Sequence, residues 1–125
     1  ATKSEKVDTR IVAATHRSLA ERVTRGEFRQ DLYGRLTLWQ IQAPAVRERR
    51  VDVLRWIRLL HRLWAAERGL AEPATLELHA DAAETLVSAS WAENLRGIHR
   101  FVHEIARRKD TEPLRREALP SWIRS

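Results

Sequence analysis

The residues of this chain best equipped for chemistry are arginines, and two of them stand out by their setting. In the run Phe28-Arg29-Gln30-Asp31-Leu32-Tyr33-Gly34-Arg35-Leu36, Arg29 and Arg35 are separated by an acid, a leucine and an aromatic. A guanidinium is planar, permanently charged and able to donate two parallel hydrogen bonds, which suits it to phosphate. Read as a helix, this run turns Arg35 about 240° around the axis from Arg29. The two side chains then leave on different sides and need not serve one ligand. Phe28, Leu32 and Leu36 recur every four residues and are expected to form a buried stripe. The plainer reading is of two solvated charges, or of pairs with Asp31 and Glu27, since exposed arginines are common. The local pattern leaves both readings open.

A second candidate pair is Thr15 and His16, which follow residues 10–14. With β-branched Ile11 and Val12 and two alanines, that run reads as a short buried strand. The C-terminal end of such a strand is where open α/β sheets place ligand groups. Imidazole can donate a hydrogen bond there, although a lone histidine is more often structural. A third candidate is Arg96, which shares a helical stretch with Arg100, Arg107 and Arg108. Helices over 81–89 and 94–109, joined by a short break, would pass for a basic helix-turn-helix-like DNA-binding module. Against that, the second of them turns Phe101, Val102 and Ile105 inward and offers few base-reading side chains. A small hydrolase using His16, His99 or His103 with Asp81 finds neither a nucleophile nor metal-ligand spacing, so no metal site is expected.

The elements that must hold these residues can be read in order. Residues 1–9 are polar and read as a loop into the first strand. Ser18-Leu19-Ala20-Glu21 is a capping box opening a helix to about Arg25, with Gly26 as its left-handed stop. After the Phe28 run, residues 37–42 alternate and read as a second strand, ended by Pro44. Residues 44–50 look like a hinge. Over 51–68 the apolar positions Val53, Leu54, Ile57, Leu60, Leu63 and Trp64 make a helical stripe, Gly69 ends the helix, and His61 is read as a surface residue. A loop over 70–79 contains an extended Leu76-Glu77-Leu78. A second helix, opened by His79 or Asp81, carries Ala82, Ala83, Leu86 and Val87. Asn94 or Glu93 caps a third, which buries Leu95, Ile98, Phe101, Val102 and Ile105 and runs to about Lys109. Glu112-Pro113 begins a tail ending in Leu119-Pro120-Ser121-Trp122-Ile123.

Composition sets bounds on this reading. Forty-three per cent apolar residues with five tryptophans supports a packed core rather than disorder. The net charge of +6 is carried by twenty arginines against three lysines. It permits phosphate or nucleic-acid partners and fits an arginine-biased genome equally well. The absence of cysteine excludes disulfides and thiolate metal sites and leans towards a cytoplasmic location. No apolar run approaches the roughly 18 residues of a membrane span, and no signal peptide is present, so no membrane partner is expected.

Four stretches occur in a telling order: Ile11-Val12-Ala13-Ala14-Thr15-His16-Arg17-Ser18-Leu19, the Phe28 to Leu36 run, Val46-Arg47-Glu48-Arg49-Arg50-Val51-Asp52-Val53, and Trp91-Ala92-Glu93-Asn94-Leu95-Arg96. Together they resemble the C-terminal half of the AAA+ sigma-54 interaction domain of sigma-54-dependent transcription activators, the bacterial enhancer-binding proteins. The resemblance covers about Val7 to about Ile123. It implies an α/β remnant of a AAA+ core (two strands, two short helices) over residues 1–45, followed by an all-α lid of about three helices over 46–125. By the family's Phe-Arg-x-Asp-Leu-x-x-Arg-Leu segment, Arg29 and Arg35 would be arginine fingers acting on ATP in a neighbouring subunit. Such a contribution is worth roughly 10³ to 10⁵ in rate in other NTPases.

Thr15 and His16 fall at the family's sensor I, which usually ends in Thr-Asn and feels the γ-phosphate; here histidine replaces the asparagine. Arg96 matches sensor II, the lid arginine that meets nucleotide in its own subunit. The usual Trp-Pro-Gly-Asn-Val-Arg-Glu-Leu is represented by Trp91, Asn94 and Arg96, with Ala92, Glu93, Gly97 and Ile98 departing from it.

The chain has no Gly-x-x-x-x-Gly-Lys-Ser/Thr, no apolar strand ending in Asp-Glu for magnesium, and no Gly-Ala-Phe-Thr-Gly-Ala loop for sigma-54. In the family all three lie upstream, so the chain reads as a domain cut just after its second catalytic motif. It is expected neither to hydrolyse ATP nor to bind it tightly by itself; ATP and magnesium would belong to the complete parent domain. The implied partners are a homo-oligomeric ring, sigma-54 RNA polymerase through the upstream segments, and DNA through a separate module. In the isolated chain the lid is expected to be well formed and the first 45 residues less ordered, swapped, or paired with another copy.

Overall fold

The computed structural model describes residues 2–70, 75–108 and 112–125. It divides into two compact units, Ala1–Gln42 and Ala43–Ser125. In the first, α1 (Leu19–Thr24) and α2 (Gln30–Leu36) pack on one another. Ser18 caps α1 as its sequence requires, its Oγ accepting the Glu21 N–H at 3.3 Å. Gly26, at φ +73°, makes the left-handed stop. A salt bridge of 3.2 Å between Arg22 and Glu27 spans the turn between the helices.

Two expectations for this unit fail. Helix α2 begins at Gln30, so Phe28 precedes it and Arg29 is its N-cap, in extended backbone. The 240° relation between the arginines therefore does not apply. The stripe is also incomplete: Phe28 and Leu36 are half-buried, Leu32 is exposed, and Tyr33 takes a half-buried place instead.

The two strands are absent as well. Residues 10–14 and 37–42 form no ladder, and Trp39 and Ile41 are 93% and 99% exposed. Alternation and β-branching report fitness for a pleated, half-buried surface, whereas a strand also needs a hydrogen-bonding neighbour. A pair of short strands is marginal without further strands or helices to cover it.

The second unit is helical. Two 3₁₀ turns, Val46–Glu48 and Arg50–Asp52, lead into α3 (Val53–Glu67), followed by α4 (Ala80–Ser88) and α5 (Leu95–Ala106). A third 3₁₀ turn, Arg116–Ala118, precedes the short α6 (Ser121–Arg124). Gly69, at φ +64°, terminates α3 as expected. The third helix ends at Ala106, with Arg107 as its C-cap, short of the expected Lys109; Lys109 itself and the middle of the loop expected over 70–79 lie outside the described residues.

The core is built where α3 meets α4 and α5. Val53, Ile57, His61 and Ala65, spaced every four residues, are the buried line of α3, facing Ala82 and Leu86 of α4 and Ile98, Phe101, Val102 and Ile105 of α5. Leu95, at the first position of α5, is exposed rather than inward.

His61 is not the surface residue its arginine neighbours imply. It is 8% exposed because it stands one turn beyond Ile57 on the buried line, and its ring stacks on Trp64 with centroids 6.2 Å apart. Its Nδ1 has no hydrogen-bond partner among the described residues.

The tail closes the core. Leu78 and Leu114 pair in parallel: the His79 N–H donates to the Leu114 carbonyl and the Leu114 N–H to the Glu77 carbonyl, both at 2.9 Å. The extended Leu76-Glu77-Leu78 thus has its partner in the tail, and Leu114, Leu119 and Ile123 are buried.

Candidate functional site

The five candidate residues divide between the units: Thr15, His16, Arg29 and Arg35 belong to the first, Arg96 to the second. At the start of α2, Arg29 grips Asp31 bidentately, Nε to Oδ1 at 3.0 Å and Nη2 to Oδ2 at 2.7 Å. Both side chains are solvent-exposed, and such pairs contribute about 0–1 kcal/mol, so the carboxylate holds Arg29 without committing it. Arg35, in the last turn of α2, is exposed and makes no hydrogen bond or ion pair among the described residues. The expected pairing with Asp31 is thus real for Arg29, while Glu27 is taken by Arg22.

Thr15 Oγ1 accepts the Arg17 N–H at 3.1 Å, a local turn that leaves His16 exposed. With no paired strand before it, this corner does not stand at a sheet end in the isolated chain.

Arg96 occupies the second position of α5, exposed and without a partner among the described residues. The first turn of a helix presents unpaired N–H groups and the positive end of the dipole. A cation there is unfavourable by itself, and an anion bound beside it answers both charges.

What builds this corner is the segment before it. Trp91 and Asn94 both have positive φ, +47° and +54°, a conformation costing on the order of 1–3 kcal/mol per non-glycine residue. Trp91 is held there by burial, by its indole N–H donating to the Leu86 carbonyl at 2.8 Å, and by edge-on contacts with Phe101 and Trp122. Asn94 is the N-cap of α5 but does not cap it with its side chain. Its Oδ1 instead accepts the Val46 N–H at 2.9 Å, tying the start of α5 to the 3₁₀ turn that opens the unit. Glu93 gives its charge to Arg100, which also meets Glu104 and lies 4.5 Å over the Trp122 ring. Arg100 is therefore engaged within the second unit, which removes one of the four arginines that a helix-turn-helix would offer to DNA.

Sequence reasoning missed the contacts made by residues 45–50. The Glu48 carboxylate accepts the Ala45 N–H at 2.7 Å, and Arg49 pairs with Asp52 at 2.6 Å while lying over Trp56. Arg50 donates to the carbonyls of Val87 and Ala89 at the end of α4, at 2.7 and 3.2 Å. Only Glu48, three residues after Ala45 and able to reach back, carried a local signal.

Asp81, set aside as a catalytic acid, is structural. Its Oδ1 lies 2.8 Å from His79 Nδ1 and accepts the Arg116 N–H at 3.3 Å, fixing the tail against the start of α4. Desolvation pushes the carboxyl up. The His79 hydrogen bond, the Ala82 and Arg116 amides and the charge on His79 together outweigh it and hold the group below its ordinary value. Among the described residues, no three of His, Asp and Glu converge as a metal site requires.

This architecture is that of a AAA+ fragment. NtrX from Brucella abortus in complex with ADP matches it with a TM-score of 0.82 and 32% identity over 98% of this chain and 28% of that one. NtrX in complex with ATP matches at 0.81 and 32%, over 98% and 29%. In sequence, the family model described as the Sigma-54 interaction domain matches residues 1–42. The DNA-binding transcriptional regulator NtrC of Proteus hauseri is 35% identical over 119 residues, 95% of this chain and 24% of that protein. The chain belongs to the sigma-54-dependent activator family and carries part of its sigma-54 interaction domain. It spans about a quarter of the length of the relatives it matches. No described helix is long and apolar enough to cross a membrane.

Proposed function

We propose that this chain supplies the finger segment, the sensors and the lid of a AAA+ ATPase domain that works as a ring on sigma-54 RNA polymerase in the cytoplasm. Arg29 and Arg35 act in trans, neutralising charge that develops on the phosphoryl group of ATP held by the neighbouring subunit. Arg96 acts in cis, its guanidinium and the N-terminal amides of α5 meeting the phosphates from the lid side. Thr15 and His16 sense the γ-phosphate once residues 10–14 and 37–42 pair with the upstream strands of the core. ATP and its magnesium are held by the P-loop and acidic motif of the upstream half, and DNA is bound by a separate module. Residues 1–45 are the core portion of this machine and 46–125 its lid.

The observation that carries the reading is the state of the arginines. Arg35 and Arg96 are exposed and unpartnered among the described residues, and Arg29 is held only by an exposed carboxylate. The binding of ADP and ATP by NtrX, a structural relative, supports a nucleotide as their target.

The test uses a chain extended upstream to include the P-loop. Arg29→Ala or Arg35→Ala is expected to lower kcat by roughly 10³ to 10⁵ while ATP affinity stays within a few-fold. Mixing either variant with a P-loop lysine variant restores part of the turnover, because intact fingers then face intact P-loops in mixed rings. Arg96→Ala weakens ATP binding in the same subunit. Finger variants that turn over at the parental rate sink the proposal.

A further inference from the structure

We propose that the outer face of α3 is a docking surface for an acidic amphipathic helix of a partner protein. Arg55, Arg58 and Arg62 fall within about 60° of arc and about 10 Å of helix length. All three are exposed, and none makes a hydrogen bond or ion pair among the described residues. Beside them Leu59 and Leu63, 42% and 51% exposed, form a parallel ridge one turn apart. The line opposite, Val53 to Ala65, is the one committed to the core.

Several arginines elsewhere on the unit are matched from within it. Arg49 is matched by Asp52, Arg100 by Glu93 and Glu104, and Arg68 by the Trp64 ring. Along α3 the only acid is Glu67, at the C-terminal end. Like charges three and four residues apart on a helix repel one another, and nothing within α3 relieves the three arginines.

Charge and shape choose among occupants. A second copy of this chain, at +6, meets the face with like charge overall. Duplex DNA would satisfy the arginines but leave Leu59 and Leu63 against phosphate and water. A helix with carboxylates along one ridge and leucines along the next answers both features, its ridges packing into the grooves of α3. The arginines then set approach and orientation, and the leucines set residence time.

The experiment is fluorescence anisotropy of the full chain with a labelled synthetic helix carrying Glu and Leu on adjacent ridges. Saturable binding is expected, weakened by salt. It should fall roughly tenfold in Arg55→Glu/Arg58→Glu/Arg62→Glu and comparably in Leu59→Ala/Leu63→Ala. All five positions are exposed, so the thermal midpoint should stay near that of the parent chain. A peptide with Lys in place of Glu should bind the triple variant and not the parent, which separates lost contact from lost folding. No binding of the Glu peptide overturns the proposal. So does binding indifferent to the leucines, or displacement by a duplex oligonucleotide or phosphatidylglycerol vesicles at equal charge, either of which defines a general polyanion patch.

Discussion

A methyl group at position 97 would stand 3.3 Å from Cε3 of Trp91. Taken alone, glycine in the first turn of α5 costs roughly 1 kcal/mol of helix stability against alanine. The indole explains it: buried Trp91 lies against the backbone at Gly97 and leaves no comfortable room for a Cβ. Overpacking a filled core costs about 1–3 kcal/mol, which outweighs the helix gain. Gly97→Ala is therefore expected to lower the urea midpoint, although the same change in an exposed helix would raise it. Asp81 makes a second case at this scale. Its folded carboxyl titrates below its ordinary value, so its contribution is full at neutral pH and is lost as pH falls through the folded value. The stability gap between the parent chain and Asp81→Asn should be open at pH 7 and narrow in acid, below the usual carboxylate range. A gap that widens in acid would mean that desolvation, which pushes the other way, dominates.

Helix α2 makes the converse case to Gly97 at the scale of an element. Gly34 sits mid-helix with nothing within 4 Å of where its Cβ would be, and its φ is not in the left-handed region. Gly34→Ala should stabilise the helix by about 1 kcal/mol, read as a raised helix population from Cα chemical shifts over Gln30–Leu36, and leave Arg35 exposed. Elements were legible in the sequence where the signal is local. Ser18 before Leu19, Gly26 and Gly69 after their helices, and the inward spacing of Ile98, Phe101, Val102 and Ile105 each depend only on near neighbours. What was not legible depends on distant partners. Trp91 asked for Gly97, Val46 took the side chain of Asn94, Leu114 completed Leu78, and the buried line of α3 overrode the charged neighbours of His61. The candidate site divides in the same way. The arginines could be picked out by motif, but the hold of Asp31 on Arg29 begins at an N-cap that the apolar spacing had placed inside the helix.

The two units differ in kind when each is taken alone. Residues 43–125 hold every fully buried residue described, from Val46 to Ile123, with helices, tail and indole contacts around one apolar cluster. Residues 2–42 bury none, and Val7, Ile11, Val12, Leu38, Trp39 and Ile41 are all exposed. Burial of apolar surface is the main force that holds a fold against chain entropy, so a unit without a buried core opens at little cost. Hydrogen exchange on the isolated chain should separate them. Amides of α3 and α5 should exchange only through global unfolding of their unit, those of α1 and α2 through easy local opening, and those of residues 11–14 and 38–42 near the rate of free peptide. On the proposed reading, a chain extended upstream gains strand neighbours and should show strong protection over those last two stretches. Strong protection over residues 11–14 in a proven monomer of this chain alone would show that the first unit needs no partner, and the pairing assigned to its extended segments would fall.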